Sequence, residues 1–79
     1  MTLTGAAQAL FISSLQPSER PTAEQIVSAV EASLRQHGGV AGCACLCAAE
    51  YGDHPDIAPD RMRWALSAAA QAEPFAHAA

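Results

Sequence analysis

One break constrains the fold of this chain more than any other stretch: Ala48-Ala49-Glu50-Tyr51-Gly52-Asp53-His54-Pro55, followed by Arg61-Met62-Arg63-Trp64. It reads as a helix that stops at Gly52, turns tightly and restarts under an Asp53 cap. Ala48 four residues ahead of Gly52, then a second amphipathic segment, is the skeleton of a helix-turn-helix. A small residue at Ala48 would let the two helices approach closely, and Gly52 would accept the turn.

The segments on either side of the break also read as helices. Thr4 to Leu15 carries Ala7, Leu10, Phe11 and Leu15 near helical spacing, with Thr4 as the expected N-cap. Gln16 to Pro21 contains two prolines and is read as a linker. Thr22 with Gln25 forms a capping box that opens a helix to His37. Its apolar stripe is Ala23, Ile26, Val27, Val30 and Leu34, with Glu31 and Arg35 paired by spacing on the outer side. Gly38-Gly39 should end it in left-handed geometry.

Val40 to Tyr51 is apolar almost all round, which places it at the centre of a bundle. A buried strand would show the same run, but the alanines favour helix. After the break, Asp56 lies where a carboxylate favours a helix N-terminus, and Pro59 fits the first turn of a helix opening near Ala58. That helix should run to about Ala72, with Pro74 closing it and residues 74–79 as a flexible tail. The expected fold is all-α, one domain over 1–79, a small bundle of three to four helices containing a helix-turn-helix-like pair.

Composition narrows the function. The chain has 79 residues, a formal net charge of −4 and no Lys; its cations are Arg20, Arg35, Arg61 and Arg63. That is not the basic face of a general nucleic-acid binder, nor does it draw the chain to an anionic membrane. The N-terminus has no positive leader region, Gln8 interrupts its apolar run, and Val40 to Ala49 is too short to cross a bilayer. A cytoplasmic location with three reduced cysteines is expected. A domain this small buries little and often gains stability by dimerising.

Candidate sites follow from a helical wheel at about 100° per residue. Ala58, Met62, Ala65, Leu66 and Ala69 form the expected core face of the fourth segment. Asp60, Arg63, Ser67 and Gln71 face outward, and Trp64 lies at their edge. A partly exposed Trp beside Arg63 is a contact for a partner or a second copy, or else a cap on the core. Trp64, Arg63, Asp60 and Ser67 are therefore the candidate partner-binding residues. In a DNA-binding dimer, Arg61 and Arg63 would carry the contact. The wheel places them on opposite flanks, and Asp56 and Asp60 oppose phosphate.

Cys43 and Cys47 share a helical face while Cys45 points away. The spacing C-x-C-x-C is not a standard zinc pattern, so Cys43, Cys45 and Cys47 are read as small core residues even with His37 and His54 flanking the run. No metal or other cofactor is assigned. No nucleophile–base pair or phosphate loop is visible, and His54 between Asp53 and Asp56 is turn chemistry, so no enzyme activity is expected.

Leu15-Gln16-Pro17-Ser18, His37-Gly38-Gly39-Val40, Glu50 to Pro55 and Arg61-Met62-Arg63-Trp64 together resemble a pattern in small uncharacterised actinobacterial helical proteins. The absence of Lys and Asn suits a GC-rich genome. The resemblance runs from Leu15 to Ala65 and implies no activity. A local helix-turn-helix similarity covers about Val40 to Ala70 and departs from DNA-binding patterns in its acidic second helix and in Pro59. The leading expectation is a non-enzymatic, self-associating protein-interaction or regulatory module; the alternative is a dimeric DNA-binding regulator.

Overall fold

Four α-helices form a small bundle: α1 (Leu3–Phe11), α2 (Ala23–Gln36), α3 (Gly39–Asp53) and α4 (Ala58–Gln71). The computed structural model describes residues 1–72. Among them there is no strand, and no helix is long and apolar enough to cross a membrane. The expected closure at Pro74 and the tail 74–79 lie outside the described residues.

The hub is α1, not α3. Gly5, Ala6, Ala7, Ala9, Leu10 and Phe11 are all buried, and α1 packs most extensively on α4, then on α3 and α2. α1 carries Thr4 and Gln8 on one side and α3 is the more uniformly apolar over Val40 to Ala49, so polarity pointed to the wrong helix. Small residues around most of α1 let three helices close on it. In α3, by contrast, only Cys43 and Cys47 are buried. A core made of the second, third and fourth helices is therefore not what forms, and α3 and α4 touch least of all the helix pairs.

The α1 cap is Thr2, whose Oγ1 accepts from the Gly5 N–H at 3.0 Å, in place of Thr4. The helix ends at Phe11, short of Leu15. The Ser13 hydroxyl donates to the Leu10 carbonyl at 2.6 Å and occupies an acceptor at the helix end. The 16–21 linker contains a 3-10 turn, Pro17–Glu19, in which the Gln16 N–H donates to Glu19 Oε1 at 2.7 Å. Arg20 leaves that turn in left-handed geometry, φ 48°.

α2 opens as its spacing predicts. The Gln25 N–H donates to Thr22 Oγ1 at 3.2 Å, and the Thr22 N–H donates to Gln25 Oε1 at 2.8 Å. Its buried line is Ile26, Val30 and Ser33; Val27 and Leu34 are half-buried and Ala23 is exposed. Gly38 and Gly39 both take positive φ, 79° and 77°, and turn the chain from α2 into α3. Gly42 then lies against the end of α2. A Cβ built there would stand 1.4 Å from the His37 carbonyl oxygen.

α3 continues through Gly52 to Asp53, so Gly52 does not stop it. The break falls at His54, φ −134° and ψ 60°, because the residue before a proline is pushed out of helical geometry and Pro55 follows. The His54 carbonyl accepts from the Ile57 and Ala58 N–H groups at 3.2 and 2.9 Å, which closes the turn. Asp53 ends α3 and does not cap α4, which begins after Ile57 without a side-chain cap. Pro59 sits in the first turn of α4, as expected. Ala48 is exposed and does not hold α3 against α4. On α4 the buried residues are Ala58, Ala65 and Ala69; Met62 is half-buried and Leu66 is 37% exposed, outside the core face assigned to it.

Candidate functional site

Arg61 points inward from the first turns of α4 to the end of α1. Its Nε donates to the Phe11 carbonyl at 2.7 Å, and Nη2 donates to the Ser13 and Leu15 carbonyls at 3.0 and 2.9 Å. The guanidinium also lies 5.8 Å from the Phe11 ring centroid and 5.0 Å from that of Trp64. Burial lowers its pKa from the ordinary arginine value, and the negative charge of Glu50 opposes that shift. The fork thus satisfies carbonyls that α1 leaves open when it ends early. One of the two arginines assigned to DNA is a clasp between chain segments.

Arg63 faces the other way, as the wheel predicts. It pairs with Asp60 one turn back, and both side chains are 75% exposed. Ser67 accepts from Gln71 Nε2 at 3.2 Å. The outer strip of α4 is therefore paired along its own length, at the spacings that suit a solvated helix. Trp64 is half-buried, packed on Arg61 at one side. It borders a hollow of about 300 Å³ with Pro17, Arg20, Pro21, Ile26 and Gln71. The structure separates Trp64 and Arg63, which the sequence grouped: one joins the linker side, the other points to solvent.

Cys43 and Cys47 are buried on one face and Cys45 is exposed: the spacing sets Cys45 apart from the other two, but the expected central helix would have buried all three. The Cys43 thiol donates to the Ser33 carbonyl at 3.7 Å, and the Cys47 thiol donates to the Gln8 carbonyl at 3.4 Å. Burial, then the neighbouring Cys43 and Glu50, push the Cys47 pKa up to about 11. Among the described residues no three His, Cys, Asp or Glu side chains converge in metal-binding geometry. His37 and His54 do border one cleft of about 380 Å³, with Phe11, Leu46, Ile57 and Arg61. Glu50 Oε2 approaches His54 Nε2 to 3.9 Å at its rim.

The surface that sequence reasoning missed belongs to α3 and its flanks. Among the described residues the core holds Ala6, Ala7, Ala9, Ala58, Ala65, Ala69 and Ala72, and its large, fully enclosed aliphatic side chains are Leu10 and Val30. Outside stand Val40 at 43% exposure, Leu46 at 39%, Tyr51 at 39% and Ile57 at 60%. No Asp, Glu, Lys or Arg occurs between Arg35 and Glu50. Beside α3 runs a groove of about 370 Å³ bordered by Gln8, Ala44, Ala48, Tyr51, Met62 and Leu66, and no residue lining it carries a formal charge. Tyr51 is anchored there by stacking on Phe11, ring centroids 6.0 Å apart and 17° between planes. The unbroken apolar run from Val40 to Ala49 was the available clue to this face. It predicted a central, buried helix, and the structure instead leaves most of this run exposed, with only Cys43 and Cys47 buried. No family profile, curated protein or solved structure matches this chain.

Proposed function

We propose that the chain is a non-enzymatic protein-interaction module, acting in a regulatory or assembly role through the α3 side of the bundle. One observation carries the reading: alanines make up much of the core while Leu46 and Ile57 stand exposed at the cleft that Glu50 and Arg61 also line, and Tyr51 and Leu66 stand exposed at the uncharged groove. Exposed large apolar groups gathered on one side mark contact surfaces in small proteins. Burying each of those side chains on a partner would contribute about 1 kcal/mol at roughly 25 cal/mol per Å². Trp64 borders a separate hollow with Arg20 and Ser67, and the solvent-facing pair Arg63 and Asp60 lies apart from it, so these residues offer at most a second, polar contact. The DNA-binding alternative loses support because Arg61 is spent on main-chain carbonyls and Arg63 on Asp60.

The test is site-specific photo-crosslinking in cells, with a photoreactive residue at Leu46, at Leu66, or at exposed Ser28 on α2. Discrete covalent adducts from Leu46 and Leu66, and none from Ser28, are expected. Adducts from neither Leu46 nor Leu66 would refute the reading.

A further inference from the structure

We infer that the cleft between the end of α1, α3 and the start of α4 is a binding site for a small zwitterion with an apolar side group, the chemistry of a free aliphatic α-amino acid. The inference goes beyond the interaction reading and does not depend on it. Its starting point is an acid and a base that line one cleft of about 380 Å³ without being joined: Glu50 on α3 and Arg61 on α4. No ion pair links them among the described residues, yet Glu50 is near enough for its charge to act on the Arg61 pKa.

Each group has capacity to spare. The clasp on α1 uses Nε and Nη2 of Arg61 and leaves the Nη1 amino group over. Nη1 has no acceptor among the described residues, and no buried side-chain nitrogen there lacks a partner, so Nη1 is open to solvent. Arg61 lines this cleft and neither the Trp64 hollow nor the uncharged groove, so the cleft is where Nη1 is reached. The Glu50 side chain is half-exposed, and His54 Nε2 stands 3.9 Å from its Oε2, too far for a hydrogen bond. A carboxylate on Nη1 and an ammonium on Glu50 would each gain a charge-assisted bond.

The two charges select the ligand. A simple anion would meet Arg61 but face Glu50 and a chain of net charge −4. A simple cation would meet Glu50 but face Arg61. A neutral ligand would strip water from both charges and return no charge-assisted bond. A zwitterion answers both at once. Phe11, Leu46 and Ile57 give the same cleft an apolar wall, with Leu46 and Ile57 exposed, so the third substituent of the ligand is apolar. The volume lies at the small end of the ~300–1,000 Å³ usual for small-molecule sites, which suits a single amino acid and not an extended peptide. The cleft is open and its charges stay wet, so half-saturation is expected near about 1 mM.

Protein NMR of the full chain, titrated with L-leucine to about 20 mM, tests this. The backbone amides of Leu46, Glu50, His54 and Arg61 should shift together and saturate. 4-Methylpentanoate lacks the ammonium and 3-methylbutylamine lacks the carboxylate; each should bind at least about 10-fold more weakly. Replacing Arg61 would open the clasp as well, so the carboxylate contact is tested through the ligand. Folded Glu50→Gln should lose the preference for leucine over 4-methylpentanoate. Leu66→Ser, at the separate groove, should bind leucine as the wild type does. The proposal is overturned if leucine moves no cleft amide, if either single-charge analogue binds as tightly as leucine, if folded Glu50→Gln keeps the full preference, or if Leu66→Ser removes the shifts. The crosslinking experiment above reads a protein partner and no amino acid, so the two readings fail separately.

Discussion

Replacing Arg61 separates a structural clasp from a surface cation. In Arg61→Met the Phe11, Ser13 and Leu15 carbonyls lose donors now at 2.7, 3.0 and 2.9 Å. Charge-assisted bonds in a dry interior contribute about 1.5–3 kcal/mol each. Arg61 is only half-buried, and the freed carbonyls can turn to water, so about 1 kcal/mol each is the better figure. Adding about 0.5 kcal/mol for its contact with the Trp64 face brings the loss to about 3–4 kcal/mol. A domain of this length has about 4–12 kcal/mol in total, so the variant should sit near the edge of folding. With a urea slope of about 1–1.5 kcal/mol/M, the midpoint should fall by about 2–4 M. Arg61→Lys keeps the charge but replaces a planar fork with a single ammonium, and should recover less than half of the loss. A midpoint shift below about 0.5 M for Arg61→Met would refute the clasp, and a Lys variant equal to wild type would show that charge alone matters.

Glycine substitutions test the helix boundaries: Gly42→Ala drives a Cβ to 1.4 Å from the His37 carbonyl oxygen, while the same change at Gly52 meets nothing within 4 Å. Chemical denaturation should show Gly42→Ala destabilised by about 3 kcal/mol or unfolded, and Gly52→Ala stabilised by about 0.5–1 kcal/mol. The opposite order would mean that the chain does turn at Gly52. Among the thiols, Cys45 should react with a thiol reagent within the mixing time, and Cys43 and Cys47 only at the rate of opening; equal rates for all three would contradict the packing. The folded Cys47 pKa is raised to about 11 from an ordinary 9.0, so its contribution is present below pH 9 and is lost as pH rises through 11. At ~1.4 kcal/mol per unit the loss is up to about 2–3 kcal/mol, and thermal midpoints of Cys47→Ala should decline less steeply over that window than those of the wild type.

Local chemistry was legible in the sequence wherever partners lie within a few residues. The Thr22–Gln25 box, the glycine pair at 38 and 39 and Pro59 in the first turn of α4 each follow from spacing alone. The end of α3 was misplaced because Gly52 permits a left-handed turn without requiring one, while Pro55 excludes helix from His54. The hub could not be found by counting apolar residues. α3 is the more uniformly apolar of the two, yet α1, with Thr4 and Gln8 on one side, is the helix that three neighbours enclose. Arg61 was assigned to the surface because its acceptors are main-chain carbonyls 46 to 50 residues away, which have no side-chain signature. The candidate contact face was hidden for the related reason that an apolar run announces burial but not which surface buries it.

The pairing of α1 most extensively with α4 has a consequence for how the chain acquires its structure. During synthesis α1 emerges first, yet the helix that encloses most of it is made last among those described. Until then Leu10 and Phe11 lack their principal cover, and the carbonyls of Phe11, Ser13 and Leu15 lack the guanidinium that joins them. A nascent chain halted before Arg61 should therefore stay protease-sensitive, with no stable subset of helices. A chain cut within the 54–57 turn should regain protection when its two pieces are mixed. Protection of α1 should therefore depend on a closure between segments about 50 residues apart.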